Sequence, residues 1–344
     1  MEYVAIGGDA HSDVQRVKKS VASISKLRED GHEVHCIFRG GDDGADPRFL
    51  NYEGLGLKQI AKIARDKGLK GPERYAEVLR LFEQGLREGR PEFVQFEESV
   101  ERYAYSIMAL FSTHGLPPVR MIAGNADCFQ DYIRAAENKR KAEAIFNHGN
   151  SSYSTEVSLD VLVKEDGKIT VKPYEEGMET EEYVAFLKIP YSFSPEVENA
   201  LGGVVNHYPE SASREVIEKS LERTLEQLNK LSASRSMVVV QIQHEPPVQS
   251  LATMLDPRNR PIEQAEVYQR AIDAVTDMKP AEHLIFYGHV GNHNFARAVP
   301  HELVGKTIFG TKTFHWPEEG KGGMLYLCLN SHEVRDEIEM LEGR

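Results

Sequence analysis

The sequence predicts an α/β protein built on a mainly parallel, buried sheet, and three observations carry that expectation. Apolar runs such as Tyr3-Val4-Ala5-Ile6 and the Val-rich stretch Met237 to Ile242 suit strands covered on both faces. Segments with apolar residues every three or four positions alternate with those runs, as βα units require. The first two strands end in glycine pairs, Gly7-Gly8 and Gly40-Gly41, which break them abruptly.

Taken in order, the first strand runs through Ile6 and gives way to a helix marked by Val14, Val17, Val21, Ile24 and Leu27. Asp30-Gly31 closes that helix, Glu33 to Phe38 forms the second strand, and Gly40-Gly41 precedes Asp42, Asp43 and Asp46. From about 51 to 115 the pattern is helical, with Ile60, Ile63, Tyr75, Val78, Leu79 and Phe82 as apolar marks and glycine-rich joints at 68–71 and 85–91. Val119 to Ala123 is a further strand and reaches Gly124-Asn125. Between Tyr153 and Val171 the period falls to two, and Asp166-Gly167 predicts the turn of a β-hairpin. The acidic stretch 173–209 reads as a connecting or lid segment with a strand at Val184 to Ile189. Ile217, Leu221, Leu225, Leu228 and Leu231 mark a long helix before the strand ending at Ile242. A helix with Ala265, Tyr268, Ile272 and Val275 precedes the strand Leu284 to Tyr287, which ends at Gly288-His289. Met324 to Leu329 is the last strand.

Composition limits what such a protein does. A chain of 344 residues holds one large domain with sizeable insertions, here expected at about 51–115 and about 129–234. Lys+Arg 41 against Asp+Glu 54 gives a net charge of −13, a field that repels phosphate backbones and disfavours nucleic acid as a partner. No apolar run approaches the roughly 20 residues that cross a bilayer, so no membrane partner is expected. Cys36, Cys128 and Cys328 are too scattered for a disulfide framework, which fits a reducing, cytoplasmic setting.

Chemistry concentrates at the strand ends. Asp9 with His11, Asp42, Asn125, His244 and His289 each follow a strand directly, and in a parallel sheet those ends gather on one edge. One aspartate after a strand is an ordinary turn former or helix cap. Five such ends, mixing Asp, His and Asn without cysteine, form a set of hard oxygen and borderline nitrogen donors that suits divalent cations.

The ordered blocks Gly8-Asp9-Ala10-His11, Gly41-Asp42, Gly124-Asn125-Ala126-Asp127, His244-Glu245-Pro246-Pro247 and Gly288-His289 resemble those of the calcineurin-like metallophosphoesterase superfamily. The resemblance spans Asp9 to His293. It implies a four-layer αββα sandwich with helical and β-hairpin cap insertions. It also implies two divalent metal ions, manganese foremost, with iron, nickel, zinc or cobalt as alternatives. Asp9 and His11 would hold one ion, Asn125, His244 and His289 the other, and Asp42 would bridge, with Asp43 as the alternative bridge. The activity implied is hydrolysis of a phosphomonoester or phosphodiester in a small phosphorylated substrate by a metal-bound hydroxide. A nuclease using the basic stretch 134–141 and a scaffold that has lost turnover are the competing readings.

The chain departs from the family pattern in two places. Ala126 stands where the family usually has a histidine acting on the leaving group, so Asp127 is left to orient a ligand or water, and good leaving groups should be hydrolysed best. Gly291 stands where a second histidine is expected, and His293 is the candidate substitute. Arg39, His148 and His315-Trp316 carry weaker expectations: a surface arginine or phosphate contact, a turn histidine, and a packed loop or aromatic lid.

Overall fold

Strand β1 (Glu2–Gly7) is buried from Tyr3 onward, and its side chains divide between two cores by simple alternation. Tyr3 and Ala5 join a cluster with Val17, Val21, Ile24 and Leu27 of helix α1 (Val14–Glu29), whereas Val4 and Ile6 face the opposite way. The computed structural model describes residues 1–8, 14–41, 57–91, 93–94, 105–112, 114–124, 144–147, 151–176, 178, 184–191, 214–232, 237–247, 264–288, 299–303, 306–316, 324–336 and 340.

Strands β2 (Glu33–Arg39), β3 (Val119–Ile122) and β4 (Ser152–Ser154) extend β1 as a parallel set, with Ala5 opposite Ile37 and Ile37 opposite Val119. On the other side, β12 (Leu325–Cys328) runs antiparallel to β1, and β13 (Val334–Asp336) completes the six-stranded sheet. The second sheet has seven strands. Its parallel centre is β7 (Val184–Ile189), β8 (Val238–Gln243), β9 (Glu282–Tyr287) and β11 (Lys306–His315). Antiparallel strands flank it: β5 (Ser158–Glu165) and β6 (Lys168–Pro173) on one side, β10 (Val299–Leu303) on the other.

Three cores separate four layers. The middle one joins Val4, Ile6, Phe38 and Ile122 of the first sheet to Phe186, Val240, Ile242 and Phe286 of the second. Phe38 and Phe186 stack across it with ring centroids 4.6 Å apart. The outer core of the second sheet packs Val239, Leu187 and Val161 against Ile217, Leu221 and Leu228 of α4 (Arg214–Ser232) and Tyr268, Ala271 and Val275 of α5 (Ala265–Asp277). Each fully buried Val, Leu or Phe in these layers contributes about 1.5–3 kcal/mol, enough to tolerate a few buried ions among them.

Sequence reading assigns about 129–234 to an insertion of hairpin, lid segment and helix, and the described residues of that stretch include strands and a helix of the second sheet's layers. Strands β5, β6 and β7 are three of the seven strands of the second sheet, and α4 covers that sheet. Ser220 Oγ accepts from Val157 N at 3.0 Å and Thr224 Oγ1 donates to Val157 O at 3.1 Å, fastening α4 beside the start of β5. The polar residue that makes β5 look half exposed is Asp160, which is fully buried with Lys188 Nζ 2.7 Å away and Arg120 Nε 3.7 Å away. The hairpin turn itself is as expected: Asp166 and Gly167 both have positive φ, 52° and 78°.

Within 51–115, the described residues include α2 (Leu57–Asp66), α3 (Gly71–Arg87) and helical residues at 105–112. Ile107 and Phe111 are part of the α1-side core. Among the described residues, no helix is long and apolar enough to cross a membrane.

Candidate functional site

The parallel strands of both sheets deliver their C-terminal ends to one edge, where backbone and glycines interlock. Gly40 N donates to Gly7 O at 2.7 Å, tying β2 to β1. Tyr191 N donates to Ala123 O at 2.8 Å, joining the end of β7 in one sheet to the end of β3 in the other. Gly288 N donates to His244 O and Trp316 N to Tyr287 O, each at 3.0 Å, which brings in β8, β9 and β11.

Two glycines permit this closeness. Gly41 has φ +103°, and a Cβ there would lie 2.6 Å from both Cα and N of Gly124 and 2.9 Å from His244 Nδ1. At Gly40 an added Cβ would lie 2.0 Å from the Trp316 ring. The glycines read as strand breakers are therefore also the points where three strand ends touch.

His244 is fully buried at the centre of this edge. Its Nδ1 is 3.0 Å from the carbonyl oxygen of Gly40, across the gap between sheets. A carbonyl only accepts, so Nδ1 carries the proton and the lone pair of the neutral ring is on Nε2. Backbone carbonyls orient metal-binding histidines in this way. Tyr191 stands edge-on to the ring, centroids 6.1 Å apart.

A chain of buried amides secures the next residue. His283 Nε2 pairs with Gln241 Oε1 at 3.2 Å, Gln241 Nε2 donates to Gln243 Oε1 at 2.5 Å, and Gln243 Nε2 donates to Glu245 O at 2.7 Å. The Glu245 carboxylate accepts from Gln264 N at 3.2 Å, holding the segment to the start of α5. Burial drives the His283 pKa down to about 3, so the ring stays neutral.

Of the sequence-derived ligands, His244 lies within the described residues. Asp9, His11, Asp42, Asn125, His289 and His293 lie outside them, as do Asp43, Asp46, Asp127, His148 and the basic stretch 134–141. The structure does describe the residue immediately before Asp9, Asp42, Asn125 and His289: Gly8, Gly41, Gly124 and Gly288.

Of the weaker expectations, Trp316 is fully buried against Gly8 and Gly40, forming the floor of the edge, which agrees with the packed-loop alternative and not with the lid. The surface reading of Arg39 is corrected, since it is 1% exposed. Sequence reading missed Tyr191 and the Gln241–Gln243 chain; glutamines in an otherwise Val-rich strand were the available signal for the latter.

No family model matches the chain, and no curated protein matches it. Among solved structures, the crystal structure of TT1561 of Thermus thermophilus aligns over 97% of this chain and 97% of its own, with 12% identity and a TM-score of 0.43. The fold described above stands on its own strand pairing.

Proposed function

We propose that the chain is a metal-dependent phosphoesterase whose cations are held by Asp9, His11, Asp42, Asn125, His244 and His289, with His293 replacing the missing second histidine. The observation that carries this reading is the meeting of Gly41, Gly124 and His244 at one edge, with Gly8, Gly40 and Gly288 bonded or packed beside them. Gly8, Gly41, Gly124 and Gly288 directly precede Asp9, Asp42, Asn125 and His289 in the sequence, which supports this reading. The donor set of carboxylates, one amide and imidazoles suits manganese, iron, nickel, zinc or cobalt.

Two such cations supply Lewis-acid activation of a phosphoryl group and of the attacking water. The protein's own part begins with Gly40, whose carbonyl sets the tautomer and direction of His244. The floor made by Trp316 excludes water from beneath the glycines. Ala126 leaves no imidazole beside Asn125 to protonate a leaving group, which favours substrates with acidic leaving groups. Small phosphorylated molecules fit a chain of net charge −13 better than a polyanion does.

The test is hydrolysis of an activated aryl phosphomonoester and diester by EDTA-stripped protein, with manganese, nickel and zinc restored in turn. Metal-dependent turnover lost in Asp42→Asn supports the proposal. Absence of turnover together with absence of bound metal refutes it and leaves a scaffold. An unaffected rate in Asp42→Asn moves the bridge to Asp43.

A further inference from the structure

We propose that Glu2, Glu33 and His35 form a separate divalent-cation site at the opposite edge of the first sheet. The site begins with a register fault. Glu2 pairs with Glu33 and Tyr3 with Val34, but Val4 then pairs with Cys36, so His35 is an extra residue in β2. Bulges of this kind re-aim a side chain. Here Glu2 and Glu33 stand side by side on neighbouring strands, and His35 falls in with them. A carboxylate oxygen from each glutamate and a ring nitrogen of His35 all lie within 4.8 Å of one another.

The imidazole is what separates this trio from ordinary surface acids. The His35 side chain is 10% exposed, and its Nε2 is shielded from water without a hydrogen-bond partner among the described residues. The Glu33 carboxylate is 3.9 Å from that nitrogen, too far for a hydrogen bond. Donors around a tetrahedral ion at about 2.1 Å sit roughly 3.4 Å from each other, so a small inward movement of Glu33 closes the set. Glu33 has that freedom, since its side chain is 73% exposed. One imidazole nitrogen and two carboxylate oxygens, completed by water, suit zinc, cobalt or nickel.

The site is independent of the proposed centre. It lies at the N-terminal ends of β1 and β2, roughly 20 Å of extended strand away from Gly8, and shares no residue with the strand-end motifs. Its occupant would clamp the first strand to β2, reinforcing the bond from Glu33 N to Met1 O at 2.9 Å.

Zinc titration of EDTA-stripped full-length chain against a chromophoric chelator tests this, using wild type, His35→Gln, Glu2→Gln and, as a control on the other centre, His244→Ala. The expected result is one fewer zinc ion in His35→Gln and in Glu2→Gln than in wild type. Zinc should also raise the melting temperature of His244→Ala but lose that part of its effect when His35→Gln is added. Failure of the phosphoesterase reading alone would leave the His35-dependent ion in place. Equal zinc stoichiometry in wild type and both edge variants, with circular dichroism confirming that they are folded, overturns the inference, as does absence of zinc from His244→Ala.

Discussion

Replacing Gly41 with alanine tests whether the strand ends meet as described. The substitution carries two separable costs. The first is backbone strain: a φ of +103° is outside the range an L side chain ordinarily adopts, and holding it there costs about 1–3 kcal/mol. The second is contact, since the new methyl would be 2.6 Å from Gly124 and 2.9 Å from His244 Nδ1. Forcing a methyl into a packed site costs about 1–3 kcal/mol more. Gly31 provides the control. It also has positive φ, +84°, but none of the described residues lies within 4 Å of its absent Cβ, so Gly31→Ala should lose only about 1 kcal/mol. Urea unfolding should therefore show Gly41→Ala about 3 kcal/mol less stable than Gly31→Ala. Metal affinity should fall in Gly41→Ala alone, because the His244 ring, 2.9 Å from the new methyl, is the side chain that must yield. Equal stability losses in the two variants would mean that Gly41, Gly124 and His244 do not touch, and the case for a shared site would go with them.

The buried His283 predicts acid sensitivity. Its pKa is pushed down to about 3, while the unfolded chain protonates near 6.5; the native state thus binds fewer protons, and stability is lost as pH falls below about 6.5. Between pH 8 and pH 5 this group alone should remove about 2 kcal/mol, and His283→Gln should flatten the pH dependence of urea unfolding by that amount. An unchanged slope would refute the burial. The ion cluster between the sheets predicts that Asp160→Asn, which leaves Lys188 and Arg120 facing an uncharged partner in the core, loses about 3–5 kcal/mol. Asp160→Leu combined with Lys188→Met should recover a measurable part of that loss in thermal unfolding, and no recovery would mean the cluster is not isolated from solvent.

Local pattern made the central elements legible and left the pairing hidden. Strands β1, β2, β3, β8 and β9 and helices α1, α4 and α5 show in sequence because each repeats one period over its length. The membership of β5 to β7 in a sheet did not show, because it rests on β7 pairing with both β5 and β8, segments distant in sequence, and no window of sequence contains those encounters. Strands β10 and β11 were not anticipated; β11 carries Lys312, Thr311, Thr313 and His315 among few apolar residues, and its pairing with β9 makes it a strand. At the candidate site the glycines at the strand ends, Gly8, Gly40, Gly41, Gly124 and Gly288, were legible in sequence. The cross-sheet bond from His244 to Gly40 was not, since it joins positions 204 residues apart.

The Gln241–Gln243 chain accounts for a feature of β8 that hydrophobicity does not. A strand buried on both faces gains most from aliphatic side chains, and Val238, Val240 and Ile242 meet that need between the sheets. On the other face Gln241 and Gln243 are fully buried, and burying two amides is tolerable only when their polar atoms are paired. The pairing runs one way, from the His283 ring through both amides to the Glu245 carbonyl, so it ends on the residue after His244. His244 is thus held through its chain neighbour from the helix side and through Nδ1 from the opposite sheet. An imidazole fixed from both directions needs no rearrangement to receive a ligand, which is the condition for a preorganised cation site.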